Sequence, residues 1–385
     1  MFSKSLILIL LIGFVGIDAS AQDFGGYVQA MPLRISAELP EPLGDEVFWE
    51  YRLQSRLELR WVATDNLEFN AQGRARLFAG DLVRDIPGYA GFIDTDDGYE
   101  NLSWLAVEQD DVLLHLIPDR LYADWTSGDW NVRVGRQRVN WGINTITNPN
   151  DLFNIYSIYE FDYPERPGTD AVRVRYYLDW ASRIEIAVAP SRHGIRESVY
   201  AGMYGFNTNG YDVQLIGGYY RNRFALGGGW AGSISDTGFK GEVMAFYDAE
   251  TPESGGSREA SVVVAVSADH MFDNGIYITT EALYNSSGGL ETFGLLGQPL
   301  SADNPSISEW QLSGIGQYNF NPLLSGSLAA IWYPDESGIF LSPSVDYSLT
   351  QNIDTQILAQ FFLGAEDSPL SNAGNVMALS VKWNF

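Results

Sequence analysis

Glu50-Tyr51-Arg52-Leu53-Gln54-Ser55-Arg56-Leu57-Glu58-Leu59-Arg60-Trp61 alternates without a slip. Tyr51, Leu53, Ser55, Leu57, Leu59 and Trp61 share one face, and the other carries Glu50, Arg52, Gln54, Arg56, Glu58 and Arg60. A period of two is a strand. After Thr64-Asp65-Asn66 the alternation resumes, with Leu67, Phe69, Ala71, Gly73, Ala75 and Leu77 against Glu68, Asn70, Gln72, Arg74 and Arg76, so the two segments form a hairpin. Length decides what the apolar face meets. Tyr51 and Trp61 are far enough apart, at about 3.3 Å per residue and a tilt of about 40°, to span about 25 Å, the height of the apolar band between the aromatic girdles of membrane barrels.

The same unit repeats to the end of the chain. Tight turns are expected near Asp65-Asn66, Ser127-Gly128, Asp179-Trp180, Asn209-Gly210, Asp236-Thr237, Asp273-Asn274-Gly275, Asn321-Pro322 and Gln351-Asn352. Between them lie connections of mixed length at 39–46, 79–101, 140–168, 191–195, 221–222, 249–259, 286–307, 334–338 and 364–374. The expected fold is all-β: an antiparallel transmembrane up-and-down β-barrel of about 18 strands, with about 16 left open because Leu102–Trp125 reads either as one long strand or as containing an excursion. An even count puts both termini on the side of the short turns.

The two ends fit this fold. Lys4, the apolar run Leu6–Ile17 and Ala19-Ser20-Ala21 have the order of a cleavable signal peptide over residues 1–21, leaving 22–385 as a single barrel domain. The apolar run is too short for a spanning helix, which needs about 20 residues. At the other end Met377, Leu379, Val381, Trp383 and Phe385 point one way and Ala378, Ser380, Lys382 and Asn384 the other. This strand, with Trp383 and the final Phe385, resembles the C-terminal signal by which the barrel-assembly machinery folds outer-membrane proteins. The resemblance implies a Gram-negative outer membrane, with its lipid and lipopolysaccharide as partners. A net charge of −26 and a pI near 4.3 exclude a nucleic-acid footprint, and 14% aromatic residues exclude a disordered acidic chain. The absence of cysteine removes disulfide and thiolate chemistry.

If the apolar residues face lipid, the alternate ones face the lumen, and there arginine dominates. Sixteen of the chain's arginines lie between Arg52 and Arg196. Inward parity collects Arg52, Arg56, Arg60, Arg74, Arg76, Arg133, Arg173, Arg175 and Arg183. A planar guanidinium binds carboxylate and phosphate oxygens in pairs, so a row of them passes anions from site to site. The competing reading is a structural network in which Glu50, Glu58, Glu68 and Glu185 neutralise the arginines, although these carboxylates look too few to cancel them. Inward positions of the second half, such as Glu309, Gln311, Ser313, Gln317, Asn319, Asp354, Gln356 and Gln360, are neutral or acidic. Two such walls would set up a transverse field.

Gly135-Arg136-Gln137-Arg138-Val139-Asn140-Trp141-Gly142 and Asn148-Pro149-Asn150-Asp151 break the pattern. Strict alternation from Trp130, Val132 and Val134 would send Arg136 to lipid, a cost that a bulge near Gly135, or a strand already above the bilayer, would avoid. The loop 140–168 is expected to fold into the lumen as the constriction, with Asn140, Trp141, Asn148, Asp151 and Asp170 as its residues. Arg-Gln followed by Trp-Gly, the Asn-Pro-x-Asp loop and a return strand opening Asp170-Ala171-Val172-Arg173 resemble porin-type barrels related to alginate-export proteins, over Asp119–Tyr177. That resemblance implies a barrel of 16 to 18 strands in the manner of such channels, with Arg133, Arg136, Arg138 and Arg173 in the lumen near the constriction. The function expected is a channel for diffusion or export of small or polymeric hydrophilic, anionic solutes. The alternative is a plugged barrel acting as scaffold, adhesin or partner of an envelope transport complex.

Neither an enzyme nor a cofactor is expected. His115, His193 and His270 are scattered, none beside a serine motif, and they make no transition-metal spacing. Asp94-Thr95-Asp96-Asp97-Gly98-Tyr99-Glu100 places oxygen ligands at alternate positions but lacks the spacing of a calcium loop, and reads as a solvated acidic loop.

Overall fold

A computed structural model describes residues 22–39, 44–155, 157–163, 165–250, 259–288, 300–371 and 373–385. The expected signal peptide and parts of the connections at 39–46, 249–259 and 286–307 lie outside the described residues, as do single positions in 140–168 and 364–374. The strands are β1 (Gln22–Leu39), β2 (Gly44–Thr64), β3 (Leu67–Gly80), β4 (Trp104–Glu108), β5 (Val112–Ser127), β6 (Trp130–Gln137), β7 (Thr169–Tyr177), β8 (Arg183–Ala189), β9 (Val199–Thr208) and β10 (Tyr211–Tyr220). They continue with β11 (Arg223–Ile234), β12 (Thr237–Asp248), β13 (Ala260–Met271), β14 (Ile276–Asn285), β15 (Trp310–Asn321), β16 (Leu324–Tyr333), β17 (Gly338–Ser348), β18 (Ile353–Gly364) and β19 (Asn375–Asn384).

Each strand pairs antiparallel with the next, except that β3 passes over β4 to pair with β5, and β19 returns to β1. The wall is therefore a closed barrel of 18 strands, with β4 as an addition. Leu102–Trp125 does contain an excursion. β4 pairs with β5 at Leu113–Leu116, whereas β6 pairs with it at Leu121–Ser127. β6, β7 and β8 have only 8, 9 and 7 residues, so β4 raises the wall beside β5 where β6 stops.

The seam is set by alternation. Tyr27 pairs with Asn384 and Gln29 with Lys382, and a slip of one residue would turn the charged row to lipid. Phe385 closes the ladder: its N–H donates to Gly26 O at 3.0 Å and its carbonyl accepts from Gly26 N–H at 3.1 Å. On the outside, aromatic side chains gather in two belts. Trp61–Phe69, Trp130–Tyr176, Tyr318–Phe320 and Trp383–Phe385 pair at the short-turn end, and Tyr284–Trp310 and Tyr200–Tyr219 at the long-loop end. Ring pairs of this kind add about 0.5–1.5 kcal/mol each beyond buried area. Leu53, Leu57, Val134 and Val345 between the belts are about half exposed, as a lipid-facing band requires.

The buried apolar residues lie inside the barrel, at its long-loop end. Two short helices, Asp81–Asp85 and Tyr89–Ile93, seat Leu82, Tyr89 and Ile93 on Phe78, Leu113, Phe48 and Ile35 of the inner wall. Ile307 and Leu370, from two further connections, pack with Ile331, Tyr333 and Phe340.

Candidate functional site

From Arg138 to Gly168 the chain runs once around the inner wall, touching the strands nearly in their own order. Trp141 Nε1 donates to Glu185 on β8 at 2.8 Å, and the Trp141 carbonyl accepts from Gln214 on β10 at 2.5 Å. Glu242 on β12 accepts three backbone N–H groups, from Ile143, from Asn144 at 2.6 Å and from Asn150 at 2.8 Å. Asn144 accepts from Ser267 on β13 at 2.7 Å, and Thr147 N–H donates to Glu281 on β14 at 3.0 Å. Gln311 on β15 donates to the Thr147 hydroxyl at 3.2 Å. Tyr159 meets the Tyr333 hydroxyl on β16, and its carbonyl accepts from Gln360 on β18 at 3.0 Å. Phe161 packs on Met31 and Leu33 of β1, Asp162 binds Arg52 on β2, and Tyr163 donates to Asp119 on β5 at 2.7 Å. Extended chain reaches about 3.3 Å per residue, so a segment of this length suffices for a circuit of about 100 Å at most. It forms a collar.

Two chemistries hold the collar. On β8, β12 and β14 the wall supplies carboxylates to collar N–H donors, while Gln214 on β10 and Ser267 on β13 donate to collar oxygens. On β2 to β5 the wall supplies arginines and Asp119, and the collar supplies Asp162 and the Tyr163 hydroxyl. Gly229 on β11 allows the close approach: a Cβ there would lie 2.9 Å from Ile143 Cδ1 and 3.0 Å from Asn150 Nδ2. Val139, Trp141 and Leu152 are buried against Ala187, Ala201, Met203 and Ile216, and Trp141 meets Phe153 edge-on at 5.2 Å. Asn148 packs over Gly142, while Asn140 is exposed and only accepts the Gly142 N–H at 2.8 Å.

Asp151 is buried and accepts the Asn154 N–H at 3.0 Å. Burial pushes its carboxyl up to about 7, against the Asn154 N–H and Arg138, which stabilise the charged form. The folded collar therefore keeps a proton that an unfolded Asp, at about 3.9, gives up. The stability Asp151 lends is full below about 4, falls as pH rises to about 7 and changes no further above that. Hydrogen exchange at residues 150–155, corrected for intrinsic rates, is expected to be faster at about pH 8 than at about pH 5. Asp151→Asn should remove that difference.

The arginine wall is more thoroughly paired than its parity suggests. Arg52 binds Glu50 and Asp162, Arg56 binds Glu58 and Asp119, Arg60 binds Asp23 and Glu68, Arg133 binds Asp124, and Arg175 binds Glu185 at 2.6 Å. Arg173 donates to Asn131 at 2.8 Å and stands 4.0 Å from Glu185. The expectation of too few carboxylates fails because collar and strand aspartates join the glutamates. Arg74, Arg76, Arg138 and Arg183 differ, with no carboxylate in ion-pair contact among the described residues, and Arg183 also has an unpartnered buried Nε. Arg74 lies with its guanidinium carbon 3.3 Å from the Tyr163 ring centre, and its Nε and Nη1 are buried without a hydrogen-bond partner. Arg138 also has an unpartnered buried Nε. Arg120 donates only to backbone carbonyls, at 2.8 Å to Asp119 and to Glu165.

Two expected lumen residues belong elsewhere. Pairing along β6 has no bulge, so Arg136 keeps its outward register opposite Asp170, and the irregularities nearby fall between β3 and β5 and between β4 and β5. Gly135 adopts φ 120° and lets the Leu121 carbonyl approach where a Cβ would sit. Arg136 is buried nonetheless. It fills the notch between the end of β6 and β4, donating to Asp170 at 2.8 and 2.9 Å, to Asp96 at 2.8 Å and to the carbonyls of Pro118 and Glu100. Arg136 and Asp170 are thus an ion pair of the outer face roofed by the Asp94–Glu100 loop, and not part of the constriction. Asp96 in that loop also accepts the N–H groups of Gly98 and Leu102, which turns its carboxylate to structural use.

His115 is buried on β5. Arg76 Nη2 donates to its Nδ1 at 2.9 Å, which leaves the ring proton on Nε2, 2.7 Å from Ser103 Oγ, and Ser103 in turn donates to Asp94. The proton order runs away from a histidine base acting on Ser103.

No family model matches the sequence, and no curated protein matches it. Solved structures do. OccAB3 of Acinetobacter baumannii aligns with TM-score 0.57 at 13% identity, covering 94% of this chain and 99% of that one. The outer membrane protein OpdK of Pseudomonas aeruginosa gives 0.55 at 9%, covering 94% and 98%, and OprD of the same organism gives 0.54 at 10%, covering 96% and 95%. The likeness shows the fold, a closed barrel of the kind these porin structures share, over nearly the whole chain, and carries no argument toward an alginate-export relationship.

Proposed function

We propose that the chain is a channel of the Gram-negative outer membrane for hydrophilic, preferentially anionic solutes, which pass through the middle of the collar. A barrel of 18 strands encloses an aqueous lumen unless something fills it, and a segment that hugs the wall narrows that lumen from all sides. The observation that carries the anionic preference is the group Arg74, Arg76, Arg120 and Arg138, cations without an ion-pair partner among the described residues, gathered where the collar meets β3, β5 and β6. Arg60, Arg133 and Arg175, partly exposed toward the short-turn end, would present charge to an arriving solute. Of the residues read from the sequence, Arg52, Arg56 and Arg173 serve as struts, and Trp141 and Asp151 as collar anchors. Trp383 and Phe385 are assigned to assembly by the barrel machinery.

Arg74→Ala is expected to lower the anion-to-cation permeability ratio while leaving folding intact, because no carboxylate loses its partner. Arg133→Ala and Arg175→Ala should lower it too, since each removes a positive charge near the mouth. Reversal potentials in a salt gradient read both effects, and unchanged potentials in all three variants would reject the arginine assignment.

A plugged barrel that serves as scaffold or partner is the second reading. It is favoured by the number of inward contacts, since Ala302, Ile307 and Leu370 fill the lumen beside the collar. Absence of conductance from purified, folded protein would select it.

A further inference from the structure

Among the described side chains, the lipid-facing side of the wall carries almost no charge. Among the described strand side chains in outward register, the charged or histidine residues are Arg34, Arg136, Asp170 and His270. Arg136 and Asp170 neutralise each other, and His270 Nδ1 lies 3.2 Å from Thr237 Oγ1. Arg34 has no carboxylate and no hydrogen-bond partner among the described residues.

Its place in the wall is defined by register. Arg34 on β1 pairs with Trp49 on β2 and Met377 on β19, which are 45% and 46% exposed. Trp49 lies two residues beyond Tyr51 on β2, so Arg34 stands about 5 Å above the Tyr51 level, just outside the apolar band. That is headgroup depth. Asp81, which caps the Trp49 N–H at 2.7 Å, is held by Arg84 and so repels an anion only weakly.

A guanidinium at this depth, backed by an indole, matches a phosphate better than any other group the leaflet presents. A second copy of the chain is a poorer match, because Asp170, the described outward carboxylate, is already committed to Arg136. We infer that Arg34 anchors the phosphate of a phosphorylated lipid in the outer leaflet. The inference rests on the outer-membrane reading above.

The test uses the full mature chain, folded into nanodiscs of zwitterionic phospholipid doped with lipid A, and counts retained lipid A by native mass spectrometry. The chain is expected to retain about fivefold more than Arg34→Gln, with Arg34→Lys between them. Dephosphorylated lipid A should show no difference. Equal retention by the chain and Arg34→Gln would overturn the anchor, as would a difference that survives dephosphorylation. A change of oligomer mass in Arg34→Gln without a change in lipid would overturn it in favour of a protein contact. Heat-resistant migration of the same samples separates the two readings: failure to fold in a bilayer refutes the outer-membrane assignment, whereas a folded barrel with unselective lipid retention refutes only the anchor.

Discussion

Replacing residues 139–167 by a short turn is expected to raise the single-channel conductance several-fold and to bring ion selectivity close to that of bulk solution. The graft is feasible because Gln137 and Thr169, which flank the segment, are already cross-strand partners. The wall ladders do not pass through the collar, so the barrel keeps its closure. What it loses is the chain that narrows the lumen and, with Tyr163, the ring that covers Arg74. Glu185, Glu242 and Glu281, now held by collar donors, would return to water, and the lumen would turn more acidic. Conductance and reversal potential measured together separate widening from loss of selectivity. An unchanged conductance would mean that the path lies outside the collar.

Glu242→Ala is expected to loosen the collar without unfolding the barrel. The carboxylate is buried and is the acceptor for the N–H groups of Ile143, Asn144 and Asn150. Each buried donor left without an acceptor costs about 1–3 kcal/mol, so the collar should lose about 3 kcal/mol of local stability at the least. Hydrogen exchange at those three amides should accelerate by orders of magnitude, and current traces should show frequent transitions between open levels. Glu242→Gln retains one oxygen acceptor and should fall between. Unaltered protection in Glu242→Ala would show that the apolar packing of Val139, Trp141 and Leu152 holds the collar unaided.

The wall was legible in the sequence because a period of two, repeated at membrane length, fits a strand wall in lipid and little else. All eight short turns are found, with the reversals at Asp236 and Asn321 displaced by one residue. The closing register of β19 on β1 follows from the same parity. The collar was legible as an inward loop where the alternation breaks after Gly135, but not as a circuit. Its anchors are single residues on separate strands, and only closure of the barrel brings Glu242, Glu281 and Gln311 to one segment. A weak signal existed: Glu242 faces inward between Gly229 and Ala265, with no cross-strand cation to hold it. Arg136 shows the opposite limit. Parity placed it correctly on the outer face, but the roof that shields it comes from Asp94–Glu100, some forty residues away in sequence as the Arg136–Asp96 pair records.

The most direct measurement is the reversal potential of single channels formed by purified residues 22–385 in a planar bilayer under a potassium chloride gradient. A channel with a basic, collar-narrowed lumen predicts a potential of the sign set by chloride, reduced in Arg74→Ala. Cation preference in the unmodified chain, or no conductance from protein shown to be folded, would contradict it.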